Sequence, residues 1–136
     1  MPPKLERRLL QAATALASTV PLSMGAHSVI GSASVLRGVA PPLPTDLDSH
    51  FRYLSGLLLG IGVVFLAAIP RIEKNGTIFR ALGLVILIGG LSRLLSLVEA
   101  GPPGAGHQFG LVMELAVVPL LVAWQARVAR RCATIA

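Results

Sequence analysis

Four long apolar stretches fill most of a 136-residue chain, and its basic residues gather in three of the five segments that flank them. No other feature restricts the fold as much. A helix needs about 20 apolar residues to cross about 30 Å of hydrocarbon, so four crossings use about 80 residues and leave short loops and tails. Hydrophobic residues make up 54% of the chain and charged ones 13%, about half the charge that solvates a soluble domain. The pattern predicts an all-α fold, a four-helix transmembrane bundle. It is a single integral membrane domain over residues 1–136, with spans at about 9–36, 51–69, 78–98 and 109–126.

Breakers separate the spans. Ala40-Pro41-Pro42-Leu43-Pro44-Thr45-Asp46 cannot be helical and reads as an extended loop, Pro70 stops the second span, and Asn75-Gly76 is a strong turn signal. Gly101-Pro102-Pro103-Gly104-Ala105-Gly106 turns the chain again. Pro21 removes a backbone donor inside the first span and is expected to kink it. Lys4, Arg7 and Arg8 followed by an apolar run also have the look of a signal peptide. The cleavage site is poor, however, because Met24 takes the −3 position before Ala26. Asp48 or Ser49 is expected to cap the second helix.

The charges orient the chain. Lys4, Arg7 and Arg8 stand against Glu6 in the first tail, and Arg71, Lys74 and Arg80 against Glu73 in the middle loop. Arg127, Arg130 and Arg131 are unopposed in the last tail. The other two loops hold Arg37 and Arg52 against Asp46, Asp48 and Glu99. The positive-inside rule therefore places both termini in the cytoplasm and the protein in the cytoplasmic (inner) membrane, and an even number of spans requires both ends on one side. The net charge of +6 has its cause in orientation and attraction to anionic lipid, so nucleic acid is not expected as a partner. Cys132 is the lone cysteine and can form no intrachain disulfide.

Ionisable residues inside a span cost about 2.5–3.5 kcal/mol each on insertion scales. Arg93 lies about five residues before the outer end of the third span and Glu114 about five after the start of the fourth. Both then sit about 8 Å below the outer surface, at equal depth and with opposite charge. They are expected to pair, either as a structural bridge between helices or as the lining of a polar cavity. Arg52, Tyr53 and His27 lie toward the same side. Arg52 shares a stripe with Gly56 and Gly60, Arg93 a face with Gly89 and Gly90, and Glu114 follows Gly110 by one turn. Small residues let helices approach, so these five polar residues are expected to converge as a buried cluster, with Gly56, Gly60, Gly89 and Gly90 in helix packing. Arg52 reaching outward to the surface is the alternative. Asp46, Asp48 and His50 lack a second ligand group at metal spacing. No catalytic set and no cofactor motif accompanies them.

Asp48-Ser49-His50-Phe51-Arg52-Tyr53-Leu54-Ser55-Gly56, Gly89-Gly90-Leu91-Ser92-Arg93-Leu94, Met113-Glu114-Leu115 and Trp124-Gln125 give the chain a resemblance to the DUF4345 family over about residues 10 to 130. That resemblance implies a small bacterial four-span membrane protein, with Arg52, Arg93 and Glu114 at the family's characteristic charged positions. It implies no activity. Three functions follow from the residues. One is a non-enzymatic module binding or passing a small amphipathic or anionic molecule. Another is an accessory subunit packed against a larger membrane-protein partner, and the third a membrane-embedded enzyme using Glu114 or His27 for proton transfer. Membrane lipid is a partner in each.

Overall fold

The computed structural model describes residues 1–133; the last three residues of the expected domain lie outside the described residues. Every described element is helical: α1 (Pro3–Gly31), α2 (Thr45–Ala68), α3 (Gly76–Ala100) and α4 (Ala105–Ala133). The four helices are long and apolar enough to cross a membrane. Leu16, Ile30 and Val98 are each more than 70% exposed, an arrangement that suits lipid and not water. The fold is all-α and that of an integral membrane protein.

The helices overrun the apolar segments because backbone hydrogen bonding continues through charged flanks that a hydropathy count leaves out. Thr45 and Asp46, expected in a loop, therefore open α2, and Ala105 and Gly106, expected in a turn, open α4. α1 begins with proline at its first position, where the missing N–H costs nothing, and runs as helix through Pro21. It stops at Gly31, five residues before the expected end, because Ser32 takes a left-handed φ of 59°. A 3₁₀ turn, Ala33–Val35, follows. α2 passes into a 3₁₀ turn, Ile69–Arg71, at Pro70. α3 ends at Gly101, whose φ of 87° lets its N–H bond Leu97 O at 3.1 Å.

The chain divides into two compact units. In the one formed by Thr14–Ala67, α1 and α2 meet at two glycines. A Cβ on Gly25 would stand 2.8 Å from the Leu59 backbone N, and one on Gly62 would stand 2.9 Å from Leu22 Cγ. Its buried interior includes hydroxyl groups that fold back on their own helices, Ser18 to Thr14 O and Ser55 to Phe51 O. The other unit holds Met1–Ala13 and the chain from Ala68 onward. There α3 packs along α4, with Gly83 facing Val122 and Gly90 facing Leu115. Leu10, Ile72, Phe79, Leu121 and Val128 are buried in this unit.

Candidate functional site

Arg93 on α3 and Glu114 on α4 form a two-bond ion pair. Arg93 Nε donates to Glu114 Oε2 at 2.9 Å and Nη2 to Oε1 at 3.0 Å. The parallel geometry is the strongest that guanidinium and carboxylate adopt. Arg93 is 32% exposed and Glu114 17%, so the pair is neither sealed nor free. The Nη1 amine of Arg93 has no acceptor among the described residues.

Local sequence explains why Glu114 is there. Pro119 has no N–H and its ring crowds the carbonyl four residues back, that of Leu115. The helix answers with a π turn over Met113–Val117, closed by Val118 N–H on Met113 O. π turns are frequent at functional sites because the extra residue per turn re-aims side chains. Glycines supply the space on both sides. A Cβ on Gly90 would lie 2.9 Å from Glu114 Cβ and 2.7 Å from Leu115 Cδ2, so only glycine lets α3 come this close. At Gly110 a Cβ would stand 3.9 Å from both Arg93 Cζ and Glu114 Oε1.

The other polar residues singled out in the sequence have different surroundings. Arg52 Nε donates to Asp48 Oδ2 at 2.9 Å, and its Nη1 donates to Val29 O. Val29 carries one of the last carbonyls of α1, which lack helical partners. Asp48 Oδ1 accepts from Ala33 N–H at 3.3 Å. Asp48 therefore does not cap α2, which already begins at Thr45. Together Arg52 and Asp48 close the end of α1 and the 3₁₀ turn after it. Tyr53 is 64% exposed, and His27 is exposed on α1.

Nor does the Gly56–Gly60 stripe mark the packing face of α2. Among the described residues nothing lies within 4 Å of a Cβ built on Gly56, Gly60 or Gly89. Buried positions on α2 are Ser55, Gly62, Phe65 and Ala68, spaced by seven, three and three residues. Gly62 points about 160° away from Gly60 on a helix of 3.6 residues per turn.

A second polar region went unread because its charges served to orient the chain. Glu6 is buried, and it accepts from Arg127 Nε at 3.0 Å and from Arg131. Arg131 Nη2 also donates to Met1 O at 3.1 Å, and Arg7 lies 3.5 Å from Glu73. Beside them, three amides serve the hairpin at Pro70. Gln11 donates to Ile69 O at 2.9 Å, Gln125 to Ile72 O at 2.8 Å and Asn75 to Ala68 O at 2.9 Å. Glutamines inside otherwise apolar runs, at 11 and 125, were the available signal.

No group of three His, Cys, Asp or Glu side chains able to hold a metal occurs among the described residues. The arrangement at Arg93 and Glu114 is a fixed, charge-neutral donor edge, suited to an acceptor oxygen on a ligand. No curated protein and no solved structure matches the chain. The DUF4345 family, described as a domain of unknown function, matches residues 9–125, so the chain belongs to that family.

Proposed function

We propose that the protein is a non-enzymatic module of the inner membrane, with both termini in the cytoplasm, that binds a small amphipathic molecule at Arg93 and Glu114 near the outer end of α3 and α4. The observation that supports this is the uncommitted Nη1 amine of an otherwise paired, partly exposed arginine. Glu114 neutralises Arg93, so the ligand is recognised by an acceptor oxygen more than by net negative charge, and its apolar part lies against the exposed leucines of α3, such as Leu94 and Leu95. Catalysis is disfavoured because Glu114 is committed at both oxygens and no nucleophile accompanies it.

The test is native mass spectrometry of protein purified in mild detergent. Wild type is expected to carry a low-mass amphiphile that Arg93→Gln loses and a control substitution at exposed Val98 retains. Equal retention in Arg93→Gln refutes the reading. The accessory-subunit reading draws on the open Gly56–Gly60 face of α2 and predicts a stoichiometric protein partner in the same preparation. Topology has its own test: Cys132 should resist a membrane-impermeant thiol reagent in intact cells and react after permeabilisation.

A further inference from the structure

We propose that a cleft on the first turns of α1 seats the headgroup of an anionic phospholipid, with its phosphate between Lys4 and Arg8. Pro2, Lys4, Leu5 and Arg8 line a space of about 270 Å³, about the share of nine waters. That takes a headgroup and leaves the acyl chains outside. Lys4 and Arg8 stand one turn apart, as neighbours on the helix surface, and both are exposed. Leu5 and Leu9 are 47% and 44% exposed, and Ala12 is exposed as well. Leu5, Arg8, Leu9 and Ala12 recur at helical spacing, which puts cation and apolar surface on one face.

The cations of this cleft are the ones the chain leaves over. Glu6 and Glu73 are the only acidic side chains in the two tails and the middle loop. Glu6 is taken by Arg127 and Arg131, and Glu73 by Arg7. Lys4 and Arg8 have no ion pair or side-chain hydrogen bond among the described residues, so their counter-charge comes from outside the chain. The wall of the cleft is already fixed. Arg131 Nη2 donates to Met1 O at 3.1 Å, and the N–H groups of Leu5 and Glu6 bond Pro2 O at 3.0 and 3.1 Å. Little ordering remains to be done when a ligand arrives, and recognition falls to the side chains of Lys4 and Arg8.

Depth selects a lipid over a soluble anion. The apolar run of α1 starts at Leu9, so at 1.5 Å per residue Arg8 and Lys4 lie about 2 and about 8 Å beyond its edge. A bilayer of about 40–45 Å around about 30 Å of hydrocarbon has a headgroup layer about 5–8 Å deep on each side. Both cations therefore stand level with lipid phosphates, and the exposed leucines below them meet acyl chains. A zwitterionic headgroup brings its own cation to the same place and an anionic one does not, so the site prefers phosphatidylglycerol to phosphatidylcholine. It shares no residue with the Arg93–Glu114 reading and survives its failure.

The test places the full chain in nanodiscs of phosphatidylcholine and phosphatidylglycerol in equal parts, and native mass spectrometry reads which lipid stays on the released protein. Each Lys or Arg near a membrane surface contributes about fivefold, so wild type is expected to enrich phosphatidylglycerol about tenfold or more. Lys4→Gln with Arg8→Gln should lower that enrichment about tenfold. Arg71→Gln with Lys74→Gln removes the same charge from two exposed cations outside the cleft and should lower it less than about twofold. All four side chains are exposed, so both double variants should keep the melting temperature of wild type. Arg93→Gln should leave the enrichment unchanged, which keeps failure of the two readings distinguishable. Equal falls in the two double variants would show diffuse attraction and overturn the proposal, as would a wild type without lipid preference. Displacement of the lipid by inorganic phosphate would assign the cleft to a soluble anion and overturn it too.

Discussion

Replacing Arg93 and Glu114 singly and together by leucine measures what the pair contributes. Removing one member of a buried ion pair costs about 3–5 kcal/mol, because the survivor is left charged in a poor solvent. Arg93 is 32% and Glu114 17% exposed, and water reaching that edge brings each single loss down to about 2–3 kcal/mol. With both residues changed to leucine no charge is stranded, and apolar replacement of such pairs is near neutral, within about 1 kcal/mol. The cycle therefore carries a coupling energy of at least about 3 kcal/mol. Equilibrium unfolding in mixed micelles, followed by Trp124 fluorescence, reads all four proteins. A double variant whose loss equals the sum of the singles to within about 0.5 kcal/mol would show that the two side chains do not stabilise each other, and the bidentate geometry would then have no energetic meaning.

Three further substitutions probe the supports of that pair and of the Arg52 clamp. Pro119→Ala restores an N–H, so the π turn at Met113–Val117 should tighten to α-helix and turn Glu114 by about 100° relative to the segment after it; repeating the cycle in that background should give a coupling below about 0.5 kcal/mol. Gly90→Ala places a methyl 2.7 Å from Leu115 and 2.9 Å from Glu114 and should cost about 1–3 kcal/mol, whereas Gly89→Ala meets open space and should stabilise by up to about 1 kcal/mol; equal thermal shifts for the two would show that helix approach is not limited at Gly90. Arg52→Gln strands the Val29 carbonyl and frees Asp48, which should cost about 1–3 kcal/mol and raise amide exchange across residues 29–35 more than elsewhere.

What was legible in the sequence was what depends on one helix at a time or on neighbours joined by a short loop. Hydropathy found four helices because lipid acts on each span separately. The Arg93–Glu114 pair followed from counting residues back from a single tight turn, since two helices leaving one loop stay level with each other. Arg52 needed knowledge of where α1 ends. The apolar count ran on to 36, while the left-handed Ser32 stops the helix at Gly31 and exposes the carbonyls that Arg52 serves. The packing face of α2 was equally hidden. Gly56 and Gly60 satisfy a small-residue motif, but Gly62 satisfies the shape of Leu22, and only the second helix reveals which face it meets.

Two prolines account for much of the polar chemistry inside this apolar chain. Pro70 ends α2 in a 3₁₀ turn, so the carbonyls around it lose regular helical donors in a setting with little water to replace them. Gln11, Asn75 and Gln125 bring amides to three of them, which explains why glutamines occur where leucine would otherwise serve. Pro119 opens the π turn that carries Glu114 to Arg93. Most polar side chains within these helices are thus consumed in satisfying backbone or each other, and such groups hold a fold without turning over a substrate. The groups left with unused hydrogen-bonding capacity stand out against that background. They include Arg93 Nη1 toward one end of α3, and Gln125 Oε1 beside Gly76 at the other. About 17 residues, or about 25 Å, separate them along one helix, and of the two only the Arg93 end is open, since Arg93 is partly exposed whereas Gln125 Oε1 is sealed.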